Sequence, residues 1–366
     1  RPYEIPERGA PGQASCVLLP ESEEEVGAIL RVAHAQQLKL VISAGRTGLV
    51  EAQRPQGEAV LSLERLKRIK ALDAERGLVD AEAGLAVDAL NEALAPQGWV
   101  LPMEMGSSSA ATVGACVANA SAGANAVCYG TAAQMCEQAW GYWGNGQPAG
   151  PHSAPAWRVP APETLAINSA RIRPEWGLIG SQGVLGIITR VRLRLSRLPA
   201  QREAALIPVL DMQTAMRIFS AARDAFDGDV EELEFISRAA LRLVREARGS
   251  ALRLPFAGEV DAPFYLLLQI KSVLPAAQDD LTARLYDFLS HGLTLPDEHI
   301  GYAPLKALKE IRHSITESSN LRAKKLGGGR LSFDTATPVA KFGPYLAELQ
   351  RRIVTQYPHI EFVAFG

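Results

Sequence analysis

Cysteine is scarce in this chain, and what there is follows no ligand or framework pattern. The four cysteines, Cys16, Cys116, Cys128 and Cys136, form no CxxC pair and no Cys/His spacing suited to zinc. A disulfide framework is therefore not expected, and a reducing compartment is favoured. An excess of charge of one sign is also lacking: 38 Lys and Arg against 40 Asp and Glu leave a formal net charge of -2. That balance gives no electrostatic ground for a nucleic-acid partner or an anionic membrane. No apolar run approaches the ~18 residues needed to span a bilayer, and no signal-like stretch opens the sequence. A cytoplasmic location is expected, with peripheral attachment to the inner membrane as its variant.

What is present reads as a soluble globular chain of two domains, since 366 residues with 47% hydrophobic content can build more than one core. The first half alternates short strands and helices. Strands are expected at 15–19, 38–44, 59–63, 78–82 and 187–195. Ser22 should cap a helix whose apolar face is Val26, Ile29, Leu30 and Ala33, with Glu25 completing a capping box. A second helix carries Val87, Leu90 and Leu94 on one side. In the last strand Val191, Leu193 and Leu195 alternate with Arg190, Arg192 and Arg194, the period of a half-buried strand. Residues 144–163 are dense in Gly, Pro and Ala and read as an irregular loop. A domain boundary is expected at 197–201. Beyond it come strands at 204–209, 263–270 and 330–334, and helices at 214–226, 278–291, 304–318 and 342–357.

Three stretches are poor in side chains. The first is Val41-Ile42-Ser43-Ala44-Gly45-Arg46-Thr47-Gly48-Leu49, a strand running into a turn of small residues. Small residues let successive backbone N–H groups approach an anion, and Thr47 adds a hydroxyl. The turn is neither G-x-G-x-x-G nor a Walker loop, which disfavours a Rossmann site or P-loop. Taken alone it reads first as an ordinary glycine turn, because short glycine motifs are common. The second stretch, 102–130, is almost wholly Gly, Ala, Ser and other small residues, too long for one turn. The third is Gly180-Ser181-Gln182-Gly183-Val184-Leu185-Gly186-Ile187-Ile188-Thr189, leading into a strand.

In this order and at this spacing, the three stretches resemble the FAD-binding half of the vanillyl-alcohol-oxidase superfamily. The branch they resemble is the FAD-linked oxidases that include D-lactate dehydrogenase, D-2-hydroxyglutarate dehydrogenase and the glycolate oxidase catalytic subunit. The resemblance implies an α+β fold: a PCMH-type FAD-binding domain of two α/β subdomains over 1–198, then an α+β substrate (cap) domain with an antiparallel sheet over 199–366. It implies a noncovalent FAD. The pyrophosphate falls to Gly45, Arg46, Thr47 and Gly48, with Ala44 and Leu49 beside them among the cofactor-binding residues. Met105, Gly106, Ser107, Thr112, Gly114, Ala115, Asn119 and Ala122 fall along the ring and ribityl chain, and Gly183, Gly186 and Ile187 near the adenine end. Ala44, Ala115 and Ala122 replace family glycines, Ala120 replaces an Asn, and Gln182 and Val184 also depart from the pattern. The lysine-bearing stretch usual between the second and third motifs is not evident in 147–176.

In the second half, Arg312 and Thr316 stand four apart and share one helix face, where a fork and a hydroxyl can grip a carboxylate. A surface arginine on an amphipathic helix has the same spacing. The resemblance assigns this R-x-x-x-T to the substrate carboxylate. Ser332-Phe333-Asp334 through Pro338 resembles the family's K-x-D-x-x-x-P with Ser332 in place of the lysine, which favours a monocarboxylate such as lactate. The family's histidine motif, which holds a divalent metal (Zn or Mn) and supplies the base, would follow Gly366. The catalytic base and metal ligands are thus expected beyond it, and none of the histidines (His34, His152, His291, His299, His313, His359) matches a catalytic position. The activity implied is oxidation of a D-2-hydroxy acid. Implied partners are that small molecule and an electron acceptor (quinone, cytochrome or electron-transfer flavoprotein), with a homodimer allowed. Another oxidase of the same superfamily, or a flavin-binding subunit without its own activity, stays open.

Overall fold

The computed structural model describes residues 2–6, 10–48, 50–150, 174–249, 252–256 and 260–366. The chain divides into two units, Arg1–Leu198 and Pro199–Gly366.

The first unit contains a small parallel sheet of β1 (Val17–Leu18), β2 (Leu40–Ser43) and β3 (Ala59–Ser62), with β3 central. Helix α1 (Glu23–Ala35) connects β1 to β2 and buries Val26, Leu30 and Ala33, the spacing of one helix face. Its cap is half as expected. Glu25 N–H donates to Ser22 Oγ at 3.2 Å, but the Glu25 carboxylate accepts from the N–H of Glu21, one residue earlier than a capping box requires.

The larger sheet of this unit is antiparallel. In chain order the elements are β4 (Ile69–Asp73), β5 (Leu78–Glu82), α2 (Val87–Leu94), β6 (Trp99–Val100), α3 (Val113–Ala118), α4 (Ala126–Tyr129), α5 (Ala132–Met135), β7 (Cys136–Trp143), β8 (Pro148–Ala149) and β9 (Gly186–Arg194). The strand order is β4-β5-β9-β7-β8, and β10 (Ser196–Arg197) pairs with β6. The β9 alternation works as the sequence suggests. Val191 and Leu193 enter the core with Val79 and Ala81. The arginines face acids: Arg192 grips Asp80, directly across the ladder, at 2.6 and 2.8 Å. Arg190 lies 3.3 Å from Glu23 and over the Trp140 ring, and Arg194 lies 3.5 Å from Glu137.

The second unit is a four-stranded antiparallel sheet with a hydrophobic layer on each face. Its elements are β11 (Gln201–Val209), α6 (Met212–Phe226), β12 (Val230–Ser237), α7 (Arg238–Arg248), β13 (Phe264–Ser272), α8 (Leu281–Asp287), β14 (Gly301–Tyr302), α9 (Leu305–Lys325) and α10 (Phe342–Gln356). Strand order is β12-β13-β11-β14. Strand period two sorts the side chains. Ala205, Ile207 and Val209 face Ile218, Ala222 and Leu285, whereas Ala204 and Leu206 face Leu241, Val244, Leu308, Ile311 and Ile315. The strand expected at 330–334 is absent. Residues 328–338 form no element, and Leu331 and Phe333 are 81% and 78% exposed, so their alternation buries nothing and finds no ladder partner.

Asp80→Ala would leave the guanidinium of Arg192 half-buried beside the core without its carboxylate. A loss of about 3 kcal/mol or more is expected in urea unfolding of the variant, and a loss under about 1 kcal/mol would remove this pair from the determinants of stability.

Candidate functional site

The three side-chain-poor stretches meet within the first unit. A methyl on Gly45 would lie 2.1 Å from the Ala110 carbonyl oxygen, so the turn after β2 rests on the backbone of the second stretch. The second and third are joined by main-chain hydrogen bonds. Gly180 N–H donates to Val117 O at 3.1 Å, and Gln182 N–H to Ala118 O at 2.8 Å. The position of a Gly183 Cβ is 3.8 Å from the Ile42 side chain, which links the third stretch to the first. The second stretch is itself fixed to the end of β5, where a methyl on Gly114 would come within 2.3 Å of Ala83 Cβ.

The backbone at this meeting point is unusual. Six non-glycine residues have positive φ among the described residues, and Arg46 (58°), Ala120 (48°) and Gln182 (55°) place one in each loop. Such conformations persist where surrounding structure imposes them, and they concentrate at binding sites. The amides of Gly45, Arg46, Thr47 and Gly48 have no acceptor among the described residues. Two buried hydroxyls are orphaned as well: Ser43 Oγ, at the end of β2, and Thr112 Oγ1, before α3. A run of free amides with two unpaired buried hydroxyls is an unmet set of donors, the complement of an anionic, oxygen-rich ligand.

The side chain of Arg46 is already engaged. It lies 3.2 Å from Glu64 and over the Tyr3 ring, and Tyr3 Oη donates to the same carboxylate at 2.8 Å. Arg46 therefore offers the site its backbone. Gln53 Nε2 donates to Gly48 O at 3.2 Å and steadies the turn, whose last sequence-identified residue, Leu49, lies outside the described residues. Gly106 has open space where a side chain would stand, Ser107 O accepts the amides of Ala110 and Ala111, and Met105 packs against the core. Ala115 and Asn119 face each other one turn apart, Asn119 Nδ2 donating to Ala115 O at 2.8 Å, and Ala122 is exposed. Gly186 and Ile187 are elsewhere in character: they are ladder positions of β9 opposite Trp143 and Tyr142, and the Ile187 side chain is buried. Ser43 is the residue that pattern reading missed; its signal was a hydroxyl on the last strand residue before a glycine turn.

Burial pushes the Cys116 thiol up to about 11 and the Cys136 thiol to about 12. Neither offers a thiolate at neutral pH for a bond to a ligand.

In the second unit, Arg312 and Thr316 fall on α9 as expected, and the structure treats them differently. Thr316 is exposed. Arg312 is mostly buried: its Nε and Nη2 both donate to the Glu234 carboxylate of β12, and its guanidinium lies 4.6 Å from the centre of the Phe365 ring. Burial lowers the Arg312 pKa, against the charge of Glu232. Asp334 and Ser332 are exposed in the irregular segment. No cluster of three or more His, Cys, Asp or Glu residues able to hold a metal occurs among the described residues, and none of the described helices is long and apolar enough to cross a membrane.

Comparison with known proteins agrees with this geometry. Residues 14–146 match the family model described as an FAD binding domain, and residues 198–366 match that of the FAD linked oxidases, C-terminal domain. A D-2-hydroxyglutarate dehydrogenase of Xanthomonas citri pv. viticola is 28% identical over 96% of this chain and 70% of its own length. A provisionally named mitochondrial D-lactate dehydrogenase of Schizosaccharomyces pombe is 25% identical over 97% of this chain and 66% of its own length. The chain thus spans about two thirds of these relatives. A solved alkyldihydroxyacetonephosphate synthase superposes with a TM-score of 0.67 at 16% identity, covering 95% of this chain and 67% of that one, which shows a shared fold.

Gly45→Val should abolish retention of a yellow cofactor through purification, because the branched side chain meets the Ala110 carbonyl; a variant that stays yellow refutes the contact between the loops as the cradle. Ser43→Ala should behave oppositely in two assays. It removes an orphaned hydroxyl, so stability without cofactor is unchanged or higher, while FAD affinity by fluorescence titration falls about tenfold. Equal FAD affinity in variant and wild type removes Ser43 from the site.

Proposed function

We propose, since this chain belongs to the FAD-linked oxidases, that it holds FAD noncovalently on the three loops and oxidises a D-2-hydroxy acid to the 2-keto acid. The observation that carries this reading is the convergence of three side-chain-poor loops around unpaired amides at Gly45, Arg46, Thr47 and Gly48. Those amides would hold the pyrophosphate, with Ala44 at the turn's entrance and the Thr47 hydroxyl beside them. Ser43 and Thr112 would satisfy their hydroxyls on the same ligand. The segments around Met105–Ser107, Gly114–Ala115 and Asn119–Ala122 would line the flavin, and Gly183, Gly186 and Ile187 the adenine end. When bound, FAD supplies the acceptor for the hydride leaving the substrate Cα–H.

The chain's own residues would bind and orient. Arg312 holds the substrate carboxylate with a charge-assisted fork, and Thr316 adds a hydroxyl one turn along α9. Ser332, in place of the family lysine, leaves no cation at that position for a second carboxylate, which favours a D-lactate-like monocarboxylate. Turnover would require an external electron acceptor, a quinone, a cytochrome or an electron-transfer flavoprotein. A divalent metal held by three or more His, Cys, Asp or Glu residues would require residues other than the described ones.

A second reading, a flavin-binding chain without turnover, has one observation in its favour: the Arg312 fork already holds Glu234. Anaerobic mixing of the FAD-loaded chain with D-lactate and other D-2-hydroxy acids separates the two. Bleaching of the flavin absorbance supports the dehydrogenase, and full retention of the oxidised spectrum supports the second reading. In Arg312→Ala, kcat/KM for the acid should fall roughly tenfold to a hundredfold; unchanged kinetics would remove Arg312 from the site.

A further inference from the structure

Strand β12 carries three acids that are 7% exposed or less: Glu231, Glu232 and Glu234. Each meets a cation: Arg202 at 2.7 Å, Lys309 at 3.3 Å and Arg312. Buried ion pairs are poor stabilisers, because desolvating both charges offsets most of their attraction, and apolar residues of similar volume would do as well or better. The Glu234–Arg312 pair is set among apolar side chains. Glu234 precedes Ile236 by one strand period, so it projects into the layer built by Ile236, Leu308, Ile311 and Ile315. Arg312 follows Ile311 on the helix that closes that layer.

The geometry of this pair is particular. Glu234 takes the side edge of the guanidinium, Nε with Nη2. Phe365 sits against the same group at 4.6 Å, on the C-terminal segment that pairs with β12 through Phe235 and Gly366. A guanidinium has five N–H donors and two edges that can each grip a carboxylate. With the side edge taken, the end edge, Nη1 with Nη2, has no acceptor among the described residues. An arginine held at one edge and against an aromatic ring has lost the rotational freedom that a substrate would otherwise have to restrict.

We propose that Glu234 is the positioning residue for Arg312 and that Phe365 acts alongside it, the two fixing the guanidinium so that its end edge receives the substrate carboxylate. This rests on the reading of Arg312 as the carboxylate anchor. It also gives a specificity rule. Glu234 neutralises the charge of Arg312, so a substrate is selected by a planar two-oxygen anion that matches the end edge rather than by negative charge in general.

The test uses the FAD-loaded chain, anaerobic flavin reduction, and two probes, D-lactate and D-lactamide, the second lacking the carboxylate charge. Glu234→Gln should raise the apparent Kd for D-lactate about tenfold, with the limiting reduction rate changed less than threefold. The same variant should cost D-lactamide less than it costs D-lactate, because the amide offers the end edge one acceptor oxygen in place of two, and Glu234→Asp should recover part of the lost D-lactate affinity. Phe365→Leu, which keeps an apolar contact, should move D-lactate affinity in the same direction if Glu234→Gln does not fold. Equal losses for both probes would show a merely structural role and overturn the proposal. Tighter D-lactate binding in Glu234→Gln would also overturn it, because Glu234 would then be a competitor for Arg312. Wild-type chain that neither D-lactate nor any other D-2-hydroxy acid bleaches would sink the functional reading, and this inference with it. Bleaching of the wild type with no change in either variant would sink the positioning role alone.

Discussion

The first unit is organised by one constraint: main chain can approach main chain, or an anion, only where side chains are absent. A methyl on Gly45 would fall 2.1 Å from a carbonyl oxygen, and one on Gly84 would fall 2.0 Å from another, that of Leu63. Those distances mean that the loops are held by backbone packing, with almost no side-chain volume between them. The turn after β2 rests on Ala110, and its own amides have no acceptor among the described residues. The positive φ values at Arg46, Ala120 and Gln182 are the local cost of that arrangement.

The second unit solves a different problem. Its antiparallel sheet is covered by helices on both faces, so the buried strand residues sort into two layers. On β11 and β13 the buried positions are mainly Ala, Leu, Ile and Val. On β12 the acids break this rule, and α9 answers Glu232 and Glu234 with Lys309 and Arg312. Charge inside a layer needs partners of fixed geometry, and that fixes the partners in turn. The guanidinium of Arg312 is consequently a member of a built network as well as of a helix face.

Several elements were legible in the residues because their pattern matched their environment. The β5 boundaries, the α1 face and the β9 alternation follow from period and from small turn residues. Elements whose polar residues are buried were not legible. Strand β12 reads Val-Glu-Glu-Leu-Glu-Phe-Ile-Ser and looks like surface until Arg202, Lys309 and Arg312 are placed against it. Helix α7 differs: its four arginines are exposed and match the apolar face of Ala240, Leu241, Leu243 and Val244 too closely in number for the period to stand out. Residues 330–334 failed in reverse: they alternate like a strand, but no neighbouring strand offers its hydrogen bonds.

By itself the sequence determined that three glycine- and alanine-rich stretches exist, in what order, and that an arginine and a threonine share a helix face. Absence of side chains is a local property, and so is helical spacing. Only the tertiary structure decided that the three stretches touch, that Ser43 and Thr112 are left without partners, and that Arg312 is gripped by Glu234. Contact, burial and hydrogen-bond satisfaction depend on residues far apart in the chain, and no local pattern encodes which distant group will arrive.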